Sequence, residues 1–184
     1  MANRVTEDKL EPIELQDKVL TVRDVLGVEN GFPKIPAGYQ DGSDYMHSCA
    51  GLSEINLQRL KLIPKDGGNR SAFADCPDLQ LKCFIGKDDS FKDTFGRLWW
   101  DRPAPTITTK FFSISNGRFV HPEEDRALSL REGATLQSFP KTYVFKTNSR
   151  DKIARLIGNA VPPKYAEQIG KAIVNNAYRT KYGE

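Results

Sequence analysis

The sequence predicts an α+β chain in which a small β-rich middle is followed by helices, and three stretches carry that expectation. Thr106-Ile107-Thr108-Thr109-Lys110-Phe111-Phe112-Ser113-Ile114 is dominated by β-branched and aromatic residues, which suit a pleated, half-buried surface. Ser129-Leu130-Arg131-Glu132 has the Ser-x-x-Glu form of a capping box, where hydroxyl and carboxylate each satisfy a backbone N–H that a helix start leaves open. Pro162-Pro163 suits a first helical turn, because proline lacks an N–H where none is needed. Ala166, Ile169, Ile173 and Ala177 then recur at helical spacing and predict one buried stripe.

Taken in order, residues 1–19 are polar and acidic without sustained periodicity, and read as a flexible leader. Thr21 to Gly27 offers a capping residue, apolar spacing and a terminal glycine, enough for one or two helical turns. A Gly- and Pro-rich loop runs on to Asp44. Ser53 caps a helix of about ten residues that Pro64 stops. In Lys65-Asp66-Gly67-Gly68-Asn69-Arg70 the glycines permit positive φ or a close backbone approach, and Arg70 either meets a phosphate or sits on a plain surface turn. Short β-compatible pieces are expected from Leu79 to Ile114, closed by the turn Ser115-Asn116-Gly117-Arg118. The capping-box helix should end near Ser138, ahead of Pro140.

Composition narrows the function classes. With 184 residues the chain fits one ordinary domain, or a small domain attached to a piece of a larger one. Hydrophobic residues at 39% and charged residues at 28% exclude a disordered chain, while 11 prolines and 14 glycines imply many turns. No apolar run approaches the ~20 residues that cross a bilayer, and none follows Met1-Ala2-Asn3-Arg4 as a signal peptide would require. A cytoplasmic protein that makes no membrane contact is the expectation. His47, Cys49, Cys76 and Cys83 could in principle meet around zinc, but their spacing matches no common site, so free thiols and no metal are expected. Charge is uneven: residues 1–30 hold four basic and seven acidic residues, whereas 59–118 and 119–184 each hold eleven basic and seven acidic. The basic surface therefore lies in the middle and the end, where it is either a solvated face of mixed charge or a surface for a polyanion.

Two strings are more specific than any of this. Arg126-Ala127-Leu128-Ser129-Leu130-Arg131-Glu132-Gly133-Ala134-Thr135-Leu136-Gln137-Ser138-Phe139-Pro140 and Ile157-Gly158-Asn159-Ala160-Val161-Pro162-Pro163 resemble, in order and spacing, the last two motifs of the DNA cytosine-5 methyltransferases. Upstream, Gly96-Arg97-Leu98-Trp99-Trp100-Asp101-Arg102-Pro103-Ala104-Pro105-Thr106-Ile107-Thr108 is similar to the core of that family's target-recognition domain. Beyond the leader over 1–19, the resemblance implies a target-recognition domain over 20–118 and C-terminal helical motifs over 119–184. Those helices would dock onto a Rossmann-like methyltransferase domain that is absent from this chain.

The chemistry the resemblance implies cannot be completed by these residues. Cytosine C5 becomes nucleophilic only when a cysteine thiolate adds to C6, with a glutamic acid near N3 steadying the enamine. The family's Phe-x-Gly-x-Gly loop, Pro-Cys dipeptide and Arg-x-Arg element are missing, and Cys76 is followed by proline rather than preceded by it. No catalytic residue is expected here. Glu29-Asn30 resembles the family's Glu-Asn-Val but precedes glycine, and reads as a turn.

Residue by residue, the resemblance assigns Asn159, Ala160 and Val161 to S-adenosylmethionine, held jointly with a catalytic partner; a plain helix cap is the other reading. For double-stranded DNA, Arg97 is the first expected base contact, since arginine against guanine is the commonest specific contact, and an ion-paired arginine is its alternative. Thr106, Ile107 and Gly117 follow on the recognition loops, and Lys110, Arg118 and Arg70 are expected at phosphates. Arg131, Glu132, Gln137, Phe139 and Pro140 are expected to organise the recognition domain. The chain thus reads as the small part of a split, restriction-modification type methyltransferase, bacterial or phage-encoded. A stand-alone DNA-binding remnant, or a fragment of a single longer enzyme, is the alternative.

Overall fold

The computed structural model describes residues 13, 18–42, 45–87 and 90–182, with backbone alone for Tyr45 and residues 176–182. The leader expected over 1–19 lies, except for residues 13, 18 and 19, outside the described residues, as does the side chain of Ala177. Contacts group Leu20–Asn159 into one compact unit and place Ala160–Glu184 in a second.

Among its described residues the first unit contains four α-helices. α1, Val22–Val25, starts at Thr21, whose N–H donates to the Asp24 carboxylate at 2.8 Å. Its end is closed by Asn30, whose side-chain amide donates to the carbonyls of Leu26 (2.8 Å) and Arg23 (3.0 Å). Glu29-Asn30 accordingly sits in a 3-10 turn, Val28–Asn30, between glycines of positive φ, as the turn reading expects. α2, Glu54–Leu62, begins after Ser53 and stops before Pro64. α3, Leu130–Leu136, opens on the capping box: Glu132 N–H donates to Ser129 Oγ (3.1 Å) and Ser129 N–H to Glu132 Oε2 (2.7 Å).

α4, Arg150–Gly158, goes beyond the sequence expectation. Its Ser149 cap accepts from the Lys152 N–H, and Ile153, Ala154 and Ile157 form its buried face. Polar Arg150-Asp151-Lys152 at its start masks that periodicity. In the second unit α5, Pro163–Tyr182, starts at the proline pair. Its expected buried stripe is not covered by the described residues, since Ala166 and Ile173 are exposed and Ile169 only half-buried.

The β-rich middle, and with it the α+β class, is corrected. Among the described residues no strand forms; only isolated bridges link Arg97 with Val120 and Val120 with Ala127. Around them runs a thin backbone layer, with Leu98 N–H to Val120 O at 2.9 Å and Leu128 N–H to Phe119 O at 3.0 Å. The Thr106–Ile114 run misleads because β propensity is really a preference for packing beside a partner strand. Here Ser113 N–H turns back to Lys110 O (3.0 Å), closing a local turn, while Ile107, Phe111 and Ile114 are buried one by one.

Two apolar clusters fill the first unit. One joins Val22, Leu26, Trp100, Ile107, Phe111 and Leu128 to the inner faces of α3 and α4. The other gathers Leu60, Ile63, Phe73, Phe95, Ile114 and Val120 below α2, where Phe73 and Phe95 meet edge to face at 5.7 Å.

Candidate functional site

The Thr106–Phe112 segment is seated by two glycines from the helices behind it. A Cβ on Gly133 in α3 would lie 2.1 Å from the Phe111 ring, and one on Gly158, the last residue of α4, only 2.4 Å from Thr109 N and 2.5 Å from Thr108 C. Nothing larger than glycine permits those approaches. Ile107 and Phe111 point into the core at 2% and 0% exposure. Thr106 and Lys110, each just before one of them, face outward, and Lys110 ion-pairs with Asp151 of α4 at 2.8 Å. The segment is thus an outward-facing hydroxyl and ammonium on a backbone with an apolar underside. Gly117 ends the neighbouring loop at φ 132°, a conformation that favours glycine.

The three arginines expected at DNA are placed differently. Arg97 has no exposed surface, and its five donors are all taken: Nε by Ile63 O (3.2 Å), Nη1 by His121 O (3.0 Å) and Glu124 O (2.8 Å), Nη2 by Leu60 O (2.8 Å) and by the Asp125 carboxylate. It fastens the α2 end to the 121–125 loop, so no donor is left for a base. Arg70 is buried beneath the 87–91 loop, donating to the carbonyls of Lys87, Ser90 and Phe91, with its guanidinium 4.4 Å from the Phe84 ring. Arg118, 6% exposed, donates to Asp93 (2.8 Å) and to the carbonyls of Gly67 (2.9 Å) and Arg97 (2.8 Å). Burial spends these cations on protein carbonyls, as a low-dielectric interior demands.

Behind the segment lies an ionic lattice. Arg126 and Glu132, both fully buried, pair twice, at 2.7 and 2.8 Å, and Arg126 also donates to Glu124 and to Ile35 O. Burial by itself would push the Glu132 carboxyl up, but the Arg126 charge and its hydrogen bonds prevail and bring it down to about 2. Burial pushes His121 the other way, down to about 4. Its contacts agree with a neutral ring, since Nδ1 accepts from the N–H groups of Glu123 (3.2 Å) and Glu124 (3.1 Å), leaving Nε2–H to face Glu124 Oε1 at 3.2 Å.

The sign of the resulting pH dependence is fixed. Between about 6.5 and 4 the unfolded chain takes up a proton at His121 that the folded chain refuses, so stability falls as the pH falls through that window. Urea midpoints from pH 7 to pH 4 are expected to decline, and His121→Gln to flatten the decline; an equal slope in the variant would remove His121 as its source.

Asn159 closes α4, its N–H donating to Arg155 O and Ile157 O, and its side chain is exposed. Ala160 is half-buried and Val161 is 58% exposed. Cys49 is buried with Sγ donating to Pro36 O at 3.2 Å, and burial pushes its thiol up despite the charge of Arg126; Cys76 is half-buried and Cys83 exposed. Among the described residues no three His, Cys, Asp or Glu side chains gather as a metal site would need, and no helix is long and apolar enough to cross a membrane. A separate cavity of about 260 Å³ is floored by Phe32, Trp100 and His121 and rimmed by Arg23, Lys34 and Glu123. What sequence reasoning misses is Trp99 and Arg102: Arg102 is exposed, with its guanidinium 4.4 Å from the Trp99 ring. The signal for it in the sequence is slight, the i, i+3 pairing of tryptophan and arginine just before Pro103.

Residues 87–175 match the family model for C-5 cytosine-specific DNA methylases. The chain is 39% identical over 170 residues to the type II methylase M.HgiDII of Herpetosiphon aurantiacus, covering 88% of this chain and 45% of that protein. It is 35% identical to DNA (cytosine-5)-methyltransferase 3 of Arabidopsis thaliana, over 84% of this chain and 12% of the relative. To the type II methyltransferase M1.BsuMI of Bacillus subtilis it is 36% identical, over 67% of this chain and 28% of the relative. The chain spans less than half the length of each of these relatives.

Proposed function

Since residues 87–175 match the family model for C-5 cytosine-specific DNA methylases, we propose that this chain is the DNA-recognising and cofactor-pocket-completing part of a DNA cytosine-5 methyltransferase of the restriction-modification type. The observation that carries this reading is the 39% identity to a type II methylase across 88% of the chain. In it, residues 20–118 read duplex DNA and residues 119–184 complete the methyltransferase domain. A catalytic partner, as a separate subunit or domain, supplies the nucleophile, because no cysteine here follows a proline; without that partner the chain is expected to be inactive.

S-adenosylmethionine would supply the methyl group. Asn159 offers it an exposed amide with no described partner, suited to a polar group of the cofactor, and Val161 an open apolar side chain, suited to an apolar one, while the partner supplies the rest of the pocket. On the DNA side, Thr106 and Lys110 present a hydroxyl and an ammonium from a segment that cannot sag, because Gly133 and Gly158 lie flush beneath it. Preorganised contacts of this kind waste little entropy on binding. Ile107 holds that loop from below, Gly117 shapes its neighbour, and the enclosed Arg97, Arg118 and Arg70 fix the loops' positions.

Bisulfite sequencing tests the reading. DNA from cells carrying both this chain and the partner with the Pro-Cys nucleophile is expected to show cytosine methylation within one short sequence, and DNA from cells carrying either alone none. Equal methylation by the partner alone would overturn it and favour a DNA-binding remnant.

A further inference from the structure

Trp99 is held in a stack of cations. Its half-buried indole lies 3.9 Å from the Arg118 guanidinium carbon and 4.4 Å from that of Arg102, measured to the ring centroid. The ring rests on Gly67, where a Cβ would come within 1.8 Å of the indole nitrogen. The backbone around it is fastened on both sides. Trp100 N–H donates to Asp66 Oδ1 (2.7 Å), Arg23 N–H to Trp100 O (2.9 Å), and Val22 N–H to Arg102 O (2.9 Å). Pro103 follows directly and narrows the freedom of the chain there.

The two arginines differ in what they hold. Arg118 spends its donors on Asp93 and on the Gly67 and Arg97 carbonyls. Arg102 is exposed and, among the described residues, its side chain has no hydrogen bond and no ion pair, only the ring. The adjacent Asp101 is already engaged by Arg23 through two bonds, at 2.7 and 3.2 Å. Held over the ring, the guanidinium is steadied while its N–H groups stay unengaged, and such a fork can meet two oxygens of one phosphate.

We propose that Arg102, stacked on Trp99, is a phosphodiester contact for duplex DNA. The proposal rests on the DNA-reading function above and adds to it a residue that orients the duplex without reading its bases. Arg102 lies four residues before the outward-facing Thr106, no more than about 14 Å along an extended chain, so both reach the same stretch of duplex. A phosphate contact carries affinity and salt dependence, and a base contact carries discrimination. That difference is what an experiment can read.

The experiment is anisotropy titration of a labelled duplex containing the methylated sequence, and of a scrambled duplex, with the full chain and its catalytic partner, across a salt series. Arg102→Ala is expected to weaken both duplexes roughly tenfold alike. It should also reduce the slope of log K against log salt by about 0.9. Arg102→Lys is expected to keep the slope and lose part of the affinity. Unchanged affinity and slope in Arg102→Ala would overturn the proposal, as would a loss confined to the specific duplex, which would mark a base contact. If the unsubstituted complex bound neither duplex, the DNA-reading function itself would fail, and that outcome is distinct from a normal complex that ignores Arg102. Thermal melts of both variants, with an exposed side chain changed, are expected to match the unsubstituted chain.

Discussion

Glu132→Ala is expected to destabilise the fold by about 3–5 kcal/mol, the largest effect of any single substitution in the ionic lattice. The carboxylate accepts two bonds from Arg126 and one from the Ser129 N–H, with no solvent access to either member of the pair. Removing it leaves a buried guanidinium that the partly exposed Glu124 must neutralise alone, and it opens the start of α3. Glu132→Gln keeps the shape and one acceptor, so it should cost less. Urea denaturation at pH 7 reads both. A loss under about 1 kcal/mol for the alanine variant would mean that Glu124 suffices, and that the pairing with Glu132 adds little to the fold. The same pair bears on acid behaviour. A carboxyl depressed from 4.5 to about 2 contributes stability that is complete above 4.5 and lost as the pH falls toward 2, below the window of His121.

Gly158→Ala is expected to cost about 2–3 kcal/mol, at the upper end of overpacking. A methyl group there would overlap the backbone of Thr108 and Thr109, and backbone cannot step aside as a side chain can. Gly133→Ala meets only the Phe111 ring and should cost less, provided that ring can turn within its cluster. The consequence is not confined to stability. Displacing Thr108 moves Thr106 and Lys110, so the DNA affinity proposed for them should fall by more than unfolding explains when it is measured well below the melting temperature. Native affinity in a destabilised Gly158→Ala variant would separate the seat from the reading loop and remove its functional importance.

What is legible in the sequence is local. Thr21, Ser53 and Ser129 announce helix starts, Pro64 a stop, and Pro163 another start, because caps and prolines act within one turn of chain. Glu29-Asn30 is a turn for the same reason: the flanking glycines settle it. Arg97 shows the limit of such reading. Its acceptors come from Leu60, Ile63, His121, Glu124 and Asp125, 24 to 37 residues away, and nothing in Gly96-Arg97 reveals that the side chain turns inward. Thr106–Ile114 fails for a related reason, since a strand needs a partner that composition does not supply. α4 is hidden by a polar first turn and by a last turn that doubles as the start of the Gly-Asn-Ala-Val motif. Charge counts locate basic stretches but cannot tell the enclosed Arg70, Arg97 and Arg118 from the outward Arg102 and Lys110.

The lattice around Arg126 also sets a timetable for synthesis. Ile35 bonds through both its backbone groups, its N–H to Glu124 and its carbonyl to Arg126, across about ninety residues of sequence. Ser48 O and Cys49 O wait likewise for Leu130 N–H and the Arg150 side chain. At ribosomal speeds of roughly 5–20 residues per second, the early loop is extruded on the order of ten seconds before its partners leave the exit tunnel. During that interval its buried-to-be residues Phe32, Met46 and Cys49 stay open to contact with other chains.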